Sequence, residues 1–421
     1  MLKPFSKVRF LICLLLVLSV ASLVSLSFKS ITATAVVAKE PNLLNQTQIM
    51  DKTDTRNNTS YTFSSLSSLT SSTAYFLQNT DNNTSNNTNA KPISLANYDK
   101  LKNCNTDTSK RPSSLEYLTY FNCGHVKVDS LAGGKQQVTR SFALIVKENQ
   151  SIPIADNGLK FDGAWTFNGT IPGPTMRVTE GDLVKITLIN SVGNNRSHSL
   201  HLHSIHPSDM DGVEGEGGAV APGHNYTYTF VAQPYGLYPY HCHVTPVDQH
   251  INNGLYGAFI IDPKVPRPAM KEMVMLMNGY DLDYEKEGIG PSRIPTPEEV
   301  TDDMMPQEFE RANEVYTVNG KAFDYMNHPI QLQKGVPYRI YLLNMLEFDT
   351  INNFHLHANM FKYYPGGTST TPAFVNDIVA LTQGDRGILE FRYDLPGRYM
   401  FHSHINEFSD LGWMGFFDVR G

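Results

Sequence analysis

The chain repeats itself, and the repeat limits what it can fold into. The run Val178-Thr179-Glu180-Gly181-Asp182-Leu183-Val184-Lys185-Ile186-Thr187-Leu188-Ile189-Asn190 is answered by Leu332-Gln333-Lys334-Gly335-Val336-Pro337-Tyr338-Arg339-Ile340-Tyr341-Leu342-Leu343-Asn344. Each run is followed by a His-Leu-His pair, and then by Gly236-Leu237-Tyr238-Pro239-Tyr240-His241 in one half and Gly397-Arg398-Tyr399-Met400-Phe401-His402 in the other. Self-similarity in a fixed order marks a duplicated structural unit. Inside each unit, β-branched and aromatic residues alternate with polar ones between Gly, Pro and Asn turns, and no long helical period competes. Each half is therefore expected to be an all-β sandwich of short antiparallel strands. The repeat itself covers Thr139–Asp262 and Tyr316–Arg420, within domains placed at 116–264 and 265–421.

Four His-X-His pairs lie on these segments: His201 with His203, His241 with His243, His355 with His357, and His402 with His404. A strand points residues i and i+2 to the same side, about 6 to 7 Å apart, so one strand can offer two imidazoles to one site. Eight imidazoles exceed what one first-row ion accepts and suit a cluster of several. Imidazole alone does not choose among copper, zinc, iron and nickel. Cys242 does. Lying between His241 and His243, it must face the opposite side of the strand and serve a second site back to back with the first. His198, three residues before His201, faces that same side. Cys242, His198 and the downstream His250 have the His₂Cys composition of a blue copper centre, whose usual weak axial ligand is Met. Leu255 stands at the axial position, so the reduction potential is expected to be raised.

The halves differ where that second site would be. His198, Cys242, His250 and Leu255 correspond to Asn352, Ser403, Phe408 and Trp413, so no mononuclear copper site is expected in the second half, although both of its histidine pairs are intact.

At this point the sequence resembles the multicopper oxidases, specifically the two-domain laccase-like group built from cupredoxin domains and related to the copper nitrite reductases. The resemblance spans roughly 139–421. It rests on His-Ser-Leu-His-Leu-His at 198–203, His-Cys-His with His250, His-Leu-His at 355–357, the closing His402-Ser-His-Ile-Asn-Glu-Phe-Ser-Asp-Leu-Gly-Trp-Met-Gly, and Phe167-Asn168-Gly169-Thr170-Ile171-Pro172-Gly173-Pro174. It implies two cupredoxin-like Greek-key sandwiches and four coppers per chain. By the resemblance, His198, Cys242 and His250 hold type 1 copper beside a non-bonding Leu255, and His201 and His355 hold type 2. His203, His241, His243, His357, His402 and His404 hold the type 3 pair. Electrons would enter at type 1 from a small-molecule, metal-ion or protein donor and pass from Cys242 through its neighbours His241 and His243. Dioxygen would be reduced to water. Similar proteins close a head-to-tail homotrimer with the clusters between subunits; contacts of this heterologous kind can close into rings.

Dioxygen reduction consumes protons, and Glu407, Asp410 and Asp248 are the carboxylates near the pairs in sequence; each is also read as a solvated or structural group. The rival is a copper nitrite reductase. Its pattern has an Asp three residues after the first type 1 histidine and a small residue after the Cys, where this chain has His201 and His243. A copper-binding or electron-carrying surface protein is a further alternative, but a one-copper carrier gains nothing from eight more histidines. The Gly-rich loop from Ser208 to Gly218, with Asp209, Asp211, Glu214 and Glu216, is expected near a copper site, and His206 is a possible substrate contact or a plain loop histidine.

The setting follows from the remainder of the chain. Lys3, Lys7 and Arg9 precede an uncharged apolar stretch from Phe10 to Phe28, expected within a secretory signal or membrane anchor at 1–38. An Asn/Thr/Ser-rich disordered linker with glycosylation sequons is expected over 39–115. Cys104 and Cys123 lie at or just beyond its end; in an exported protein they read as a disulfide, or else as two free thiols. The expected location is outside the cytoplasm, secreted or anchored at the outer membrane face. A net charge of −7 without a basic cluster argues against nucleic acid. The acidic stretch 281–310, with a helix start at Thr296, is read as a solvated connection.

Overall fold

The computed structural model describes residues 104–105, 113–213, 215, 217–282, 284 and 313–421. The apolar N-terminal segment, most of the Asn-rich linker, nearly all of the acidic connection including Thr296, and Glu214 and Glu216 lie outside the described residues.

Each half of the repeat folds into two packed sheets. In the first, the strands His125–Ser130, Gln136–Pro153, Leu183–Asn190 and Asn225–Val231 lie side by side, with Lys160–Phe167 also paired to Gln136–Pro153. The facing sheet runs Cys104–Asn105, Phe121–Asn122, Thr175–Thr179, Tyr256–Asp262, Gly236–His241, His201–Leu202. In the second half, Ile330–Gln333, Met414–Arg420, Gly397–His402, Ile351–Leu356 and Ile378–Thr382 form the sheet that carries the histidines, packed on a six-stranded partner. The alternation read from the sequence is visible in burial: Val184, Ile186 and Leu188 are fully buried between less buried neighbours.

Two expectations are corrected. The sheets are mixed, not antiparallel: Gln136–Pro153 runs parallel to Leu183–Asn190, and Lys271–Tyr280 parallel to Tyr338–Asn344. Alternation reports which face is buried and carries no information on strand direction. Nor are all strands short, since Gln136–Pro153 has 18 residues. Residues 104–105 and 113–115, at the end of the expected linker, are among the described ones. Cys104–Asn105 pairs with Phe121–Asn122, Cys104 and Cys123 form a disulfide, and Ser113 caps a helical turn at Ser114–Tyr117.

Besides a core inside each sandwich, a third apolar cluster joins the halves. Tyr117, Phe121, Leu237, Tyr256 and Ile260 from the first half pack with Val274, Leu276, Tyr280, Tyr341 and Ile388 from the second. Full burial of each such side chain is worth roughly 1.5–3 kcal/mol, so this seam holds the sandwiches as one body. Among the described residues no helix is long and apolar enough to cross a membrane.

Candidate metal centre

The strand Gly236–His241 ends at the site, and its neighbours determine what meets there. His241 pairs with His201 across the sheet, as His402 pairs with His355 in the second half. Beyond His241 the chain turns through the helix Val247–Asn252, which carries His250, and returns at Gly254 with φ +116. A Cβ at Gly254 would lie 2.3 Å from Ile171 Cδ1, so only glycine fits this return. The return brings the Leu255 carbonyl to accept from the Cys242 amide at 3.0 Å, which seats Leu255 beside the thiol.

Cys242, His198 and His250 are brought together and buried. His250 Nδ1 lies 3.0 Å and His198 Nδ1 3.8 Å from Cys242 Sγ, so both imidazoles aim the same nitrogen at the sulfur. The Ser199 amide donates to Sγ at 3.3 Å. Trp165 stands edge-on to both rings. Burial pushes the thiol up to about 11 and pulls His250 down to about 3, and it also lowers His198. A set of two neutral imidazoles and one thiol, closed off from water, fits a soft metal that displaces the thiol proton.

On the other face of the strand His201, His203, His241 and His243 converge, with ring centroids 5.0 to 5.7 Å apart in five pairs. His203 Nε2 and His241 Nε2 are 3.1 Å apart. At a metal–nitrogen distance of about 2 Å this is the separation of two ligands on one ion. His357 Nε2 and His402 Nε2 repeat it at 3.0 Å in the second half, beside His355 and His404. The remote nitrogens are anchored: His201 Nδ1 by the Asp211 carbonyl at 2.9 Å, His355 Nδ1 by the Asp377 carbonyl at 3.1 Å, His241 Nδ1 by the Cys242 carbonyl at 2.9 Å. Such bonds fix the tautomer and leave Nε2 free to ligate. Burial lowers His241 to about 3 and His203 to about 4, with neighbouring imidazoles adding to the shift. Neutral rings are the ligating form.

Among the described residues no close imidazole contact joins a member of the first quartet to a member of the second. One chain does not bring the two quartets together.

The sequence-based carboxylates fare differently. Glu407 and Asp410 are exposed on the helix Asn406–Asp410, and Asp248 lies on the His250 helix, where Tyr284 donates to it at 3.4 Å. Beside the quartet imidazoles the carboxylates are those of Asp211, with Oδ1 3.1 Å from His201 Nδ1, and Asp377, 3.8 Å from His355 Nδ1. Asp211 stands in the Gly-rich loop that the sequence places near a copper site, whereas Asp377 is missed by the sequence because no spacing rule links it to His355. His206 is bonded to the Leu202 carbonyl at 2.8 Å, as a structural loop histidine would be. Glu148, also missed, lies 2.9 Å from His198 Nε2.

Residues 149–266 and 291–421 match family models described as multicopper oxidase. A solved multicopper oxidase structure is 40% identical, with a TM-score of 0.62, covering 73% of this chain and 97% of that one. A copper nitrite reductase structure from Nitrosomonas europaea is 26% identical over 67% of this chain and 94% of its own, with a TM-score of 0.54. The copper-containing nitrite reductase of Neisseria gonorrhoeae is 29% identical over 63% of this chain and 65% of its own length. The chain thus spans just under two thirds of that relative.

Proposed function

The chain belongs to the multicopper oxidase family, a family of copper oxidoreductases with cupredoxin-like folds, and on that premise we propose that it couples one-electron oxidation of a donor to four-electron reduction of dioxygen to water. The carrying observation is the pair of equivalent imidazole quartets, with Cys242 on the reverse side of the strand that supplies two of the first quartet's members. In this reading the first sandwich (116–264) holds type 1 copper on His198, Cys242 and His250 beside Leu255. The second sandwich (265–421) supplies half of the cluster ligands. His201 and His355, whose Nδ1 atoms are anchored alike, would share type 2 copper; His203, His241, His243, His357, His402 and His404 would hold the type 3 pair. That makes four coppers per chain.

Bound copper would supply one-electron transfer at the cysteine site and oxygen reduction at the cluster. The chain's own part is geometry. His241 and His243 are covalent neighbours of Cys242, which gives two short backbone paths between the sites. Trp165 and Leu255 exclude water from the cysteine. Asp211 and Asp377 hold the His201 and His355 rings, and Glu407 and Asp410, exposed on the helix that follows the last histidine pair, would pass protons from solvent.

Because one chain separates its quartets, the cluster is completed by a second copy. Exposed apolar side chains accompany both quartets: Ile205, at 60%, is two residues from His203 in sequence, Met360, at 59%, lines the same cavity as His355 and His357, and Phe374 and Val375 are close to Asp377 in sequence. These side chains and the heterologous arrangement support a head-to-tail homotrimer. The Cys104–Cys123 disulfide and the apolar N-terminal sequence support a place outside the cytoplasm, secreted or membrane-anchored. The donor is a small molecule, a metal ion or a protein.

Copper stoichiometry measured together with oxygen uptake on a generic one-electron donor tests the reading. Four coppers per chain with oxygen consumed is expected. Two coppers without oxygen uptake would favour nitrite reduction, the second reading, which the reductase relatives support. A copper-replete monomer would overturn the trimer.

A further inference from the structure

Glu148 occupies a position that the strand period reserves for an apolar residue. In Gln136–Pro153 the inward stripe reads Phe142, Leu144, Val146, and Glu148 continues it, with its side chain 1% exposed. The pairing with Lys160–Phe167 slips between Lys147 and Gln150, opposite Trp165. Bulges of this kind re-aim side chains. Here the slip coincides with a carboxylate directed at the cysteine site. Burying a carboxylate is costly unless donors meet it, and donors do. Oε1 accepts from His198 Nε2 at 2.9 Å and from the Arg196 amide at 3.0 Å; Oε2 accepts from the Asn195 amide at 3.1 Å. The Arg196 guanidinium lies 3.9 Å away and leans over the Trp165 ring.

His198 therefore has two engaged nitrogens. Nδ1 faces Cys242, and Nε2 carries the proton donated to Glu148. A carboxylate on the remote N–H of a ligating imidazole fixes ring orientation and raises ligand basicity. More electron density on the ligand and a buried negative charge one ring away both favour the more positive copper state. The missing axial thioether at Leu255 acts the other way. Resting on the type 1 assignment above, we propose that Glu148 is a positioning residue that holds His198 in its ligating tautomer and lowers the reduction potential of the type 1 copper, offsetting the rise due to Leu255.

The test is a poised redox titration of the copper-loaded full chain, read from the thiolate-to-copper absorption band. Glu148→Gln removes the charge and keeps the shape. The Cu(II)/Cu(I) equilibrium is expected to move about tenfold toward the reduced state, or about 59 mV upward for a one-electron couple. Arg196→Gln removes the partly exposed compensating cation and should move it the opposite way by about threefold, less because solvent screens that charge. An unchanged potential in copper-replete Glu148→Gln would overturn the proposal and give Glu148 a purely structural role in tying down residues 195–196. If Glu148→Gln does not fold, Arg196→Gln decides, and a shift of zero or upward overturns it. A wild-type protein without the absorption band would instead overturn the type 1 assignment itself.

Discussion

The two sandwiches present the same backbone frame and fill it with different chemistry. The Cys242 amide bonds to the Leu255 carbonyl at 3.0 Å, and the Ser403 amide to the Trp413 carbonyl at 3.2 Å. The Leu255 amide bonds to the His250 carbonyl, and the Trp413 amide to that of Phe408. Ser199 Oγ accepts from the His243 amide, and Asn353 Oδ1 from the His404 amide. The quartet side of each strand is equally matched, down to Nε2 pairs at 3.1 and 3.0 Å. On the reverse side, however, the second half stacks Phe408 on Tyr316 at 4.0 Å and packs Trp413 against Phe354 and Phe401. A buried His198–Cys242–His250 set that could hold a metal and an aromatic plug are thus alternative fillings of one frame. On the proposed function the imidazole face would tolerate no such exchange, because the cluster would draw ligands from both halves.

Making the first half resemble the second is the most severe way to test this. Cys242→Ser introduces the residue found at 403. If the proposed function holds, it should remove the type 1 copper and its absorption, lower copper from the proposed four to three per chain, and reduce donor-coupled oxygen uptake by about three orders of magnitude. Metal analysis beside an oxygen electrode reads both. Retained uptake would mean that electrons reach the cluster without Cys242.

The reverse operation, emptying the plug, should be felt as stability. Trp413 is fully buried, and Trp413→Ala is expected to cost about 3–5 kcal/mol in denaturant unfolding. A cost under about 1 kcal/mol would mean that the plug does not hold the second sandwich together.

Much of this comparison was legible in the sequence. The period of two placed His241 and His243 on one face and Cys242 on the other, and the repeat paired Leu255 with Trp413 before any hydrogen bond was known. Strand direction was not legible, because burial alternates alike in parallel and antiparallel neighbours. Nor were Asp377 and its bond to His355, since a loop carbonyl reaches the ring from a different strand. Glu148 is the instructive omission. A charge in phase with Phe142, Leu144 and Val146 was visible, but only the bulge and the fold bring it to His198.

A milder exchange concerns the axial place alone. Leu255→Met restores a thioether donor without changing the frame, and volume-conserving swaps of this kind cost less than about 1.5 kcal/mol. The type 1 equilibrium should move about tenfold toward oxidised copper, about 59 mV downward for one electron. An unaltered potential would place residue 255 out of reach of the metal.

The smallest effect is expected where the plugged half meets the helix that carries His250. Burial, with Asp248 on that helix adding repulsion, raises the Glu347 carboxyl from 4.5 to about 8. A carboxyl with a raised folded-state value binds more protons folded than unfolded between those limits. Its contribution is therefore fully present below pH 4.5 and is lost as pH rises toward about 8. Glu347 keeps some contact with water and accepts from Gln383 Nε2 at 3.2 Å, so about 1–2 kcal/mol of that loss should be measurable. Glu347→Gln abolishes the titration, and its unfolding free energy should stay flatter across the window and exceed the wild type's at pH 8. Parallel curves for the two proteins would mean that Glu347 titrates as an ordinary surface carboxyl, and that its surroundings at the His250 helix are wetter than the hydrogen bond from Tyr284 to Asp248 implies.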